Sequence, residues 1–566
     1  MRKTISGLIL AAAMGLAPVA QADGLAGAYL AARSAGGSAD FEVAAQYYTR
    51  ALARDPSSLQ LMEAAAHAQL ALGEIGRAAP IARRLESAGP SSQIGNMVLI
   101  SDAAKQERYS ALSTRFEEGK GVGPLVDGLV WAWALLGQGD VSGAMAQFDT
   151  VAEEASLGGF ARYHKALALG SVGDYEAALA IFEAAGDNGL NRTRRGVIAE
   201  IEMLSQLERG DDALALITAQ FGPELDPELR ALRDALQAGE VLRFDTIRNP
   251  KDGIAEVFYS VAAALRNEAG ADYTLLYSRV TEHLRPSHTE GVLLSAGLLE
   301  DLELYDLAEE TYGKIGKDNP SYHAAELGRA DALRLGGKLE VAAEVLEALT
   351  KSHGDLPVVY VTLGDLRRQT KEYEAAVEAY DAALGLYGEE RPNQWFVYYA
   401  RAISYERLDI WDRAEADFRK ALDLNPEHPQ VLNYLGYSLV EKQIKLDEAL
   451  SMIERAVATR PNSGYIVDSL GWVLFRLGRY EEAVPHMERA AELMPVDAIV
   501  NDHLGDVLWS VGRFREAEFQ WKRALSFVDP EDTSGDIDPD RIRQKLDVGL
   551  DAVLEAEGAD PLRPAD

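Results

Sequence analysis

The sequence of 566 residues contains no cysteine. This absence excludes disulfide bonds, thiolate metal ligands and thiol nucleophiles. Long apolar runs are also scarce, because no segment after the first residues approaches the ~20 apolar residues that span a bilayer as a helix. We therefore expect no transmembrane segment in the mature chain. The hydrophobic fraction of 47% is nevertheless that of an ordinary folded protein.

Positive charge is the third deficit. The chain has 56 Lys+Arg against 90 Asp+Glu, and its formal net charge is −34. A field of this sign repels phosphate backbones, which argues against a nucleic-acid partner. A chain of this length is also too long for one compact core, so several domains or a repeat array are expected.

Motifs that carry catalysis are missing as well. None of the nine histidines stands in an H-E-x-x-H motif, and no G-x-S-x-G nucleophile turn occurs. The glycine pair Gly336 and Gly337 lacks the first glycine and the Ser/Thr of a phosphate-binding loop. Carboxylates are too numerous to single out a catalytic pair, and solvated helix faces explain them. We predict a protein that is not an enzyme and uses no metal or cofactor.

The first residues have the pattern of an export signal. Arg2 and Lys3 precede an apolar stretch over 5–17, and the Ala-Gln-Ala sequence at 20–22 fits a small-x-small cleavage site. We predict a signal peptide over 1–22 and a mature chain that begins at Asp23. The protein is then exported, and periplasmic in a bacterium with two membranes. An uncleaved anchor is the alternative.

A spacing of large and small residues recurs along the chain. Large residues three and four apart mark one buried helix face, and a small residue at the eighth place lets a second helix approach closely. One copy consists of Tyr360, Leu363, Gly364, Tyr373, Ala376, Tyr380 and Ala383. Similar copies follow, and Pro426, Pro461 and Pro495 close units because proline cannot continue a helix.

This pattern resembles the tetratricopeptide repeat, a helix–turn–helix unit of 34 residues. Aligned on these landmarks, candidate units start at 25, 59, 93, 125, 159, 194, 255, 289, 323, 357, 395, 429, 464 and 498. The resemblance implies an all-α fold, a right-handed superhelix (α-solenoid) of about 14 helical-hairpin repeats.

One long interval separates the units at 194 and 255. We predict an N-terminal array over 23–227, an irregular joint over 228–254 and a C-terminal array over 255–531. A continuous solenoid with one distorted helix pair is the alternative. The acidic segment 532–566 is predicted to form a capping helix over 539–557 and a tail, because a solenoid must cover its last exposed face.

In tetratricopeptide arrays the first helix of each unit lines an inner groove, and its second, fifth, ninth, twelfth and thirteenth places face that groove. Among these, Tyr, Trp and Arg are the residue types that dominate binding hot spots. Phe396 and Tyr465 take second places. The candidate partner-binding residues are Tyr399, Arg407, Asn433, Tyr437, Asp468, Trp472, Arg476, Asp502, Asp506 and Trp509. If Trp472 and Trp509 bind a partner, we expect them to be partly exposed; packing against neighbouring units is the alternative.

The later repeats, over 357–527, are the most distinctive. The sequences Asn-Tyr-Leu-Gly-Tyr at 433–437 and Asp-Ser-Leu-Gly-Trp at 468–472 resemble those of exported alphaproteobacterial tetratricopeptide proteins. They are also similar to lipoprotein adaptors of carboxyl-terminal processing proteases, although this chain lacks the lipid-bearing cysteine. The resemblance implies a non-catalytic periplasmic scaffold or adaptor that binds a protein or extended peptide. The alternative is a subunit of an envelope polymer-export or assembly machine.

Overall fold

The structure is a computed structural model that describes residues 25–89, 91–189, 193–528, 537–559 and 562. The predicted signal peptide lies outside these residues. Regular structure in the described residues consists of 31 α-helices and one short 3-10 helix, without a strand. The predicted all-α fold is confirmed, and the helices follow one another as hairpins. The chain divides into two compact units, unit 1 over Met1–Val345 and unit 2 over Leu346–Asp566.

Unit 1 holds the first eighteen helices and the beginning of the nineteenth. Their bounds are α1 Leu25–Gly37, α2 Phe41–Arg54, α3 Leu59–Ala71, α4 Ile75–Ala88, α5 Gln93–Lys105, α6 Tyr109–Glu117, α7 Pro124–Gly137, α8 Val141–Ala152, α9 Gly158–Ser171, α10 Tyr175–Gly189, α11 Arg194–Gln206, α12 Gly210–Phe221, α13 Pro227–Gln237, α14 Pro250–Leu265, α15 Ala271–Leu284, α16 Thr289–Asp301, α17 Tyr305–Tyr312, α18 Tyr322–Leu335 and α19 Leu339–Ser352.

Unit 2 holds five further hairpins and two C-terminal helices. Their bounds are α20 Pro357–Gln369, α21 Tyr373–Leu386, α22 Trp395–Arg407, α23 Trp411–Leu424, α24 Pro429–Glu441, α25 Leu446–Thr459, α26 Gly464–Arg476, α27 Tyr480–Leu493, α28 Ala498–Ser510, α29 Phe514–Phe527, α30 Pro539–Val548 and α31 Leu550–Ala556. The 3-10 helix Pro392–Gln394 precedes α22.

The repeat register agrees closely with the helix boundaries. Ten of the fourteen predicted unit starts are the first residue of a helix, and three others differ by one residue. The exception is the unit at 255, whose first helix α14 already begins at Pro250. There the Asn249 side chain accepts a hydrogen bond from the Asp252 backbone N–H, and proline occupies the first helical position. A local cap therefore extends this helix beyond the repeat pattern.

All but one of the repeat hairpins turn through a left-handed residue. The fifteenth place of a unit has positive φ in every repeat except that at 255. Glycine at this place adopts the conformation readily, as at Gly478 with φ of 74°. Other repeats hold a non-glycine residue there, including Lys371 with φ of 64° and Asp409 with φ of 57°. These turns carry a strain of roughly 1 kcal/mol each.

The small residue at the eighth place allows the two helices of a hairpin to meet. A Cβ atom added at Gly364 would lie 2.6 Å from the Tyr380 ring. At Gly471 it would overlap the side chain of Met487 on α27. These contacts leave no room for a larger residue, which explains the recurring glycine or alanine.

The helices α14 and α15 fold back within unit 1. They pack against the first helices of the preceding repeats: α14 against α5, α7 and α9, and α15 against α3 and α5. A Cβ atom at Gly253 of α14 would overlap the Trp133 ring of α7, so the two helices approach closely. As a result, one continuous apolar core extends from Phe41 to Ala332.

The compact units do not divide where the sequence predicts a joint. The division lies between Val345 and Leu346, whereas residues 228–254 lie inside unit 1. They contain α13 and then a non-helical segment over 239–249.

The predicted capping helix over 539–557 is wrong in one respect, because Gly549 with φ of 84° separates α30 from α31. A left-handed residue breaks the helix at that point.

Candidate partner-binding groove

The first helices of unit 2 carry all the residues that the sequence predicts for the groove. Successive first helices pack side by side, with α20 against α22, α24 against α26, and α26 against α28. Their second, fifth, ninth, twelfth and thirteenth places therefore form rows across neighbouring repeats. What each predicted residue contacts determines whether it is available to a partner.

Tyr399 lies in an aromatic cluster at the beginning of this row. Its ring centroid is 5.9 Å from that of Tyr434 and 6.0 Å from that of Phe418. Burial raises the pKa of Tyr399 to about 12, so the phenol stays protonated. Tyr434 donates a hydrogen bond of 3.4 Å to the Glu406 carboxylate, which also lies 3.7 Å from Arg407 Nε. Tyr399 and Arg407 are thus held in one patch, while each remains partly exposed.

Asn433 and Tyr437 follow on α24. Tyr437 is half-buried, whereas Asn433 is buried. The Asn433 Oδ1 atom has no hydrogen-bond partner among the described residues. A buried carbonyl oxygen without a donor is costly, by roughly 1–3 kcal/mol. Asn433 can therefore gain a hydrogen bond if a donor from outside reaches it.

Trp472 is not exposed as the groove prediction expects. Only 8% of its surface is accessible, because its ring is stacked on His503 at 4.0 Å and on Phe475 at 4.9 Å. Its Nε1 donates a hydrogen bond of 2.6 Å to Glu441. The guanidinium carbon of Arg476 lies 6.0 Å from the Trp472 ring centroid. Trp472 therefore joins α24, α26 and α28, which is the packing alternative, and its binding role stays a prediction.

Asp468 pairs with the same histidine that stacks on Trp472. The Asp468 carboxylate lies 3.0 Å from His503 Nδ1. Burial lowers the pKa of His503, but Asp468, together with Asp502 and Asp506, outweighs burial and raises the pKa above its ordinary value. The proton on His503 and the carboxylate of Asp468 stabilise each other in a buried place. Asp468 is consequently engaged with α28 rather than exposed.

Asp502, Asp506 and Trp509 contact the C-terminal helices. Lys545 of α30 is fully buried and donates to Asp502 at 2.5 Å and to Asp506 at 2.6 Å. Trp509 Nε1 donates to Asp551 of α31 at 2.8 Å. Burial and the neighbouring Asp506 raise the pKa of Asp502 to about 6, against the lowering effect of Lys545. The chain's own end thus covers these places in the last repeat.

The sequence did not predict the contact of Lys545. Asp502 and Asp506 are four residues apart on one helix face, which is a signal for a shared cation. The cation that binds both carboxylates is Lys545, which lies 39 residues beyond Asp506. No repeat pattern predicts a lysine at that position. The structure therefore divides the ten predicted residues into two groups. Asn433, Asp468, Trp472 and Asp506 are buried. The others are partly exposed: Tyr399, Arg407, Tyr437, Arg476, Asp502 and Trp509.

The groove-facing places of unit 1 contact α14 and α15 instead. Trp133, at a ninth place, is fully buried under Gly253. Tyr163, at a fifth place, donates a hydrogen bond of 2.9 Å to Glu256 of α14. Lys105, at a thirteenth place, donates one of 2.6 Å to the His283 backbone oxygen. The first helices of the repeats at 59, 93, 125 and 159 are therefore covered by α14 and α15 of the same unit.

Charged groups fix this arrangement in unit 1. Arg195, at a second place, lies 2.9 Å from Glu256 and 2.9 Å from Glu290, and His288 Nε2 lies 3.1 Å from Glu256. Burial alone would raise the pKa of Glu256, but Arg195 and His288 outweigh it and hold the pKa well below its usual range. Burial and Arg195 together lower the pKa of His288, which is therefore neutral near pH 7. Removing one member would leave a buried charge without its partner.

Among the described residues, no helix is both long and apolar enough to cross a membrane. Over the same residues, no group of three or more His, Asp or Glu side chains is arranged to hold a metal ion.

Comparison with protein families identifies the repeats. Two family models, both described as tetratricopeptide repeat, match the chain, one at 395–428 and 467–495 and the other at 29–92, 293–357 and 336–394. The fold is thus an α-solenoid of helical hairpins, and the chain contains tetratricopeptide repeats over these residues. This architecture is that of a protein-interaction scaffold, and the family is generally non-catalytic.

Individual relatives are more distant. The TPR repeat-containing protein PA4667 of Pseudomonas aeruginosa is 26% identical over 173 residues, which are 30% of this chain and 28% of that protein. The chain thus spans less than a third of the length of this curated relative. The predicted resemblance to adaptors of processing proteases stays a prediction.

Two solved structures illustrate the structural likeness. In the APC/C hetero-tetramer Cut9–Hcn1, one chain matches 92% of this chain and 96% of its own, with 13% identity and a TM-score of 0.38. YrrB, described as a TPR protein with an unusual peptide-binding site, matches 33% of this chain and 95% of its own, with 22% identity and a TM-score of 0.27.

Proposed function

We propose that the protein is a non-catalytic, exported scaffold or adaptor, and that the first helices of unit 2 bind an extended segment of a partner protein. The observation that carries the proposal is a row of exposed apolar side chains at second places. Val358, Phe396 and Tyr465 are 46%, 39% and 42% exposed, respectively. Val358 and Phe396 belong to neighbouring repeats, and Gln430 takes the second place in the repeat between Phe396 and Tyr465. Large apolar groups at equivalent positions favour a binding surface over isolated surface residues.

The second row supports the same surface. Tyr399 and Tyr437, at a fifth and a ninth place of first helices in unit 2, are half-buried. Tyrosine provides a large contact area at little cost in conformational entropy, and it is common at binding hot spots. Arg407 and Arg476, at thirteenth places, add positive groups to a chain that is otherwise strongly acidic.

Hydrogen bonds to the backbone of a bound peptide can fix its position along the groove. Asn433 lies between the two aromatic repeats, and its Oδ1 lacks a donor among the described residues. A backbone N–H from an extended partner segment would satisfy this atom after a small side-chain movement. Contacts of this kind give affinity for any extended peptide, whereas side-chain pockets give specificity.

Capture from an envelope extract tests the proposal. The native protein and the variants Phe396→Ala and Tyr465→Ala would be used as baits at equal concentration. We expect each substitution to weaken binding of the captured partner by about tenfold or more, as loss of a central aromatic contact does. Phe519→Ala is the matched control, because Phe519 is 60% exposed but lies on the second helix α29. Equal binding by all four proteins would contradict the groove.

The location and the biological process belong to the same proposal. Amino-terminal sequencing of the native protein from a periplasmic fraction should begin at or near Asp23. An intact Met1 on cytosolic protein would contradict export.

Among captured partners, a processing protease or another envelope enzyme would support the adaptor role. A polymer synthase or an outer-membrane barrel would support the alternative of an export or assembly machine.

A further inference from the structure

A groove of about 720 Å³ lies at the N-terminal end of unit 1, lined by α1, α2, α3 and the start of α5. We call it the N-terminal groove. Residues at groove-facing places of three successive repeats contribute to its lining: Arg33, Gln60, Glu63, His67 and Ile94. The N-terminal groove therefore belongs to the same row of places that α14 and α15 cover in the following repeats.

The helix α15 covers α3 only in part. Their contact includes the C-terminal end of α3, where Arg279 donates a hydrogen bond of 3.0 Å to the Ala71 backbone oxygen. The N-terminal groove lies over residues 59–68 of the same helix, next to this contact. It thus continues an established helix–helix interface toward α1, and none of the described residues fills it.

The lining of the N-terminal groove is largely apolar and has no net charge. Arg33 and Glu63 are its charged side chains, one of each sign. Burial lowers the pKa of His67, against Asp272 and Glu63, so its imidazole is neutral near pH 7. This ring lies edge-to-face with Phe41, with centroids 6.3 Å apart. Apolar side chains, several of them small, complete the floor: Ala44, Leu59, Ala64, Ala68, Leu85 and Ile94.

Helices of this chain already occupy groove-facing places elsewhere in the molecule. In unit 1, α14 packs Gly253 against the Trp133 ring, and α15 contacts α3 and α5. In unit 2, α30 places Lys545 beside Asp506 of the last repeat. The rows of first helices in both units therefore accept a packed helix, and the occupant that these contacts favour for the N-terminal groove is a helix as well.

We propose that the N-terminal groove binds an amphipathic helix of a partner protein, which lays its apolar face on α3 beside α15. The length of the groove fits this occupant. Gln60 and His67 are seven residues apart, which is about 10 Å or two turns along α3. An amphipathic helix docks through side chains at i, i+3 or i+4, and i+7, which cover the same length. Arg33 and Glu63 can pair with opposite charges on the two flanks of the bound helix.

Photo-crosslinking tests both the site and the kind of partner. p-Benzoylphenylalanine replaces Gln60 in the full-length protein, and mass spectrometry maps the crosslinked segment after irradiation in cells. We expect a segment of another protein with apolar residues at i, i+3 or i+4, and i+7. Position 54 on α2 is the control, because Arg54 is exposed and does not line the N-terminal groove. No adduct from position 60, the same adducts from both positions, or an adduct between two copies of this chain would each overturn the proposal.

A synthetic peptide of the crosslinked segment then measures affinity and conformation. Fluorescence anisotropy of the labelled peptide gives the Kd, and circular dichroism of the mixture reports whether the peptide gains helix on binding. We expect a gain of helix. Ala64→Leu should weaken binding about tenfold or more, because the larger side chain fills the groove. Ala53→Leu on α2 is the matched control, since Ala53 is exposed and lies outside the lining.

Three results would contradict helix docking at this site: equal affinity of the native protein and Ala64→Leu, equal loss in Ala64→Leu and Ala53→Leu, or binding without a gain of helix. Thermal melts of both variants should stay close to that of the native protein. The crosslink from position 60 keeps Ala64 as it is, so it tests the site even if Ala64→Leu is less stable. The groove of unit 2 is tested through Phe396 and Tyr465, and either proposal can therefore fail without the other.

Discussion

Units 1 and 2 share one repeat register but use their first helices differently. In unit 1, residues at groove-facing places, such as Trp133 and Tyr163, contact α14 and α15 of the same unit. In unit 2, the extensive helix packing joins helices adjacent in the chain and successive first helices. Phe396 and Tyr465 remain exposed there. A solenoid can thus bind its own helices with one inner face and leave another for a partner.

The cause of this difference lies in the long interval before α14. A regular repeat would continue the array after α12, but α13 and the segment over 239–249 intervene. Thr246 fixes the end of this segment, because its N–H and hydroxyl donate to Glu202 and its carbonyl accepts from Arg195. The segment therefore directs α14 onto the first helices of earlier repeats. An insertion of this kind converts a binding groove into an internal interface.

Among the predictions that separate unit 1 from unit 2, the removal of Arg195 is expected to have the largest effect. Arg195→Leu leaves Glu256 and Glu290 as buried carboxylates without their guanidinium, and we expect a loss of about 3–5 kcal/mol in unfolding free energy. Hydrogen exchange should accelerate over 250–284, while protection over 395–527 stays unchanged. Arg209→Leu is the control, because Arg209 forms only surface pairs and should cost at most about 1 kcal/mol. Unchanged exchange over 250–284 would show that the charge cluster does not hold α14.

Substitution of Trp472 tests whether this residue of unit 2 stabilises the fold or binds a partner. Trp472→Ala removes the stack on His503 and Phe475, so we expect a loss of about 3 kcal/mol or more in unfolding free energy. Tyr465→Ala on the same helix should cost less than about 1 kcal/mol, because Tyr465 is exposed. Thermal melts of both variants make the measurement. A near-native melting temperature of Trp472→Ala would contradict the packing role and favour Trp472 as a partner-binding residue.

Glu202 makes the fold-back of unit 1 sensitive to pH. Burial raises the pKa of Glu202 from 4.5 to about 7, against hydrogen bonds from Thr246 that lower it. A carboxyl group with a raised folded pKa stabilises the fold at low pH and loses that contribution as pH rises through the folded pKa. Glu202→Gln cannot ionise, so its stability relative to the native protein should rise by about 1–3 kcal/mol between about pH 5 and about pH 8.

Hydrogen exchange of α11 in both proteins measures this change. Glu117→Gln on α6 is the control, because Glu117 is exposed and its substitution should leave the pH profile as it is. A constant difference between Glu202→Gln and the native protein across this pH range would contradict the raised pKa.

The smallest expected effect concerns the hairpin turns, which both units share. Lys371 and Asp409 adopt positive φ at a place where other repeats have glycine. Lys371→Gly and Asp409→Gly should each raise the unfolding free energy by up to about 0.5 kcal/mol, because the strain of the left-handed conformation slightly exceeds the entropic cost that glycine adds. Gly478→Ala is the reverse control and should destabilise unit 2. A loss of stability in both glycine variants would mean that their side chains contribute contacts that outweigh the strain.

Sequence reasoning located the hairpins because their constraints are local. The small residue at the eighth place and the turn residue at the fifteenth recur within each unit, and they act on helices adjacent in the chain. The fold-back depends on contacts that no repeat pattern contains, such as the hydrogen bond from Arg279 to the Ala71 oxygen across 208 residues. The burial of Trp472 was missed for the same reason, since His503 belongs to the next unit.

The candidate groove was predicted only in part. The family rule places Phe396 and Tyr465 at groove-facing places, and both are exposed. Whether they face a partner-binding groove stays a prediction. Ranking residues by type gave too much weight to tryptophan, which is large enough to reach the neighbouring helix and pack there. Exposure depends on what surrounds a side chain, and the sequence of one repeat does not contain that information.

One matched pair of residues tests the central claim most directly. Phe160 in unit 1 and Phe396 in unit 2 both occupy the second place of a first helix. Replacing each in turn with the photo-crosslinker p-benzoylphenylalanine, followed by irradiation in cells, reports what each position touches. We predict a crosslink to a separate partner protein from position 396, and a crosslink within the chain, to α14, from position 160. A partner adduct from position 160 and none from position 396 would contradict the assignment of the two inner faces.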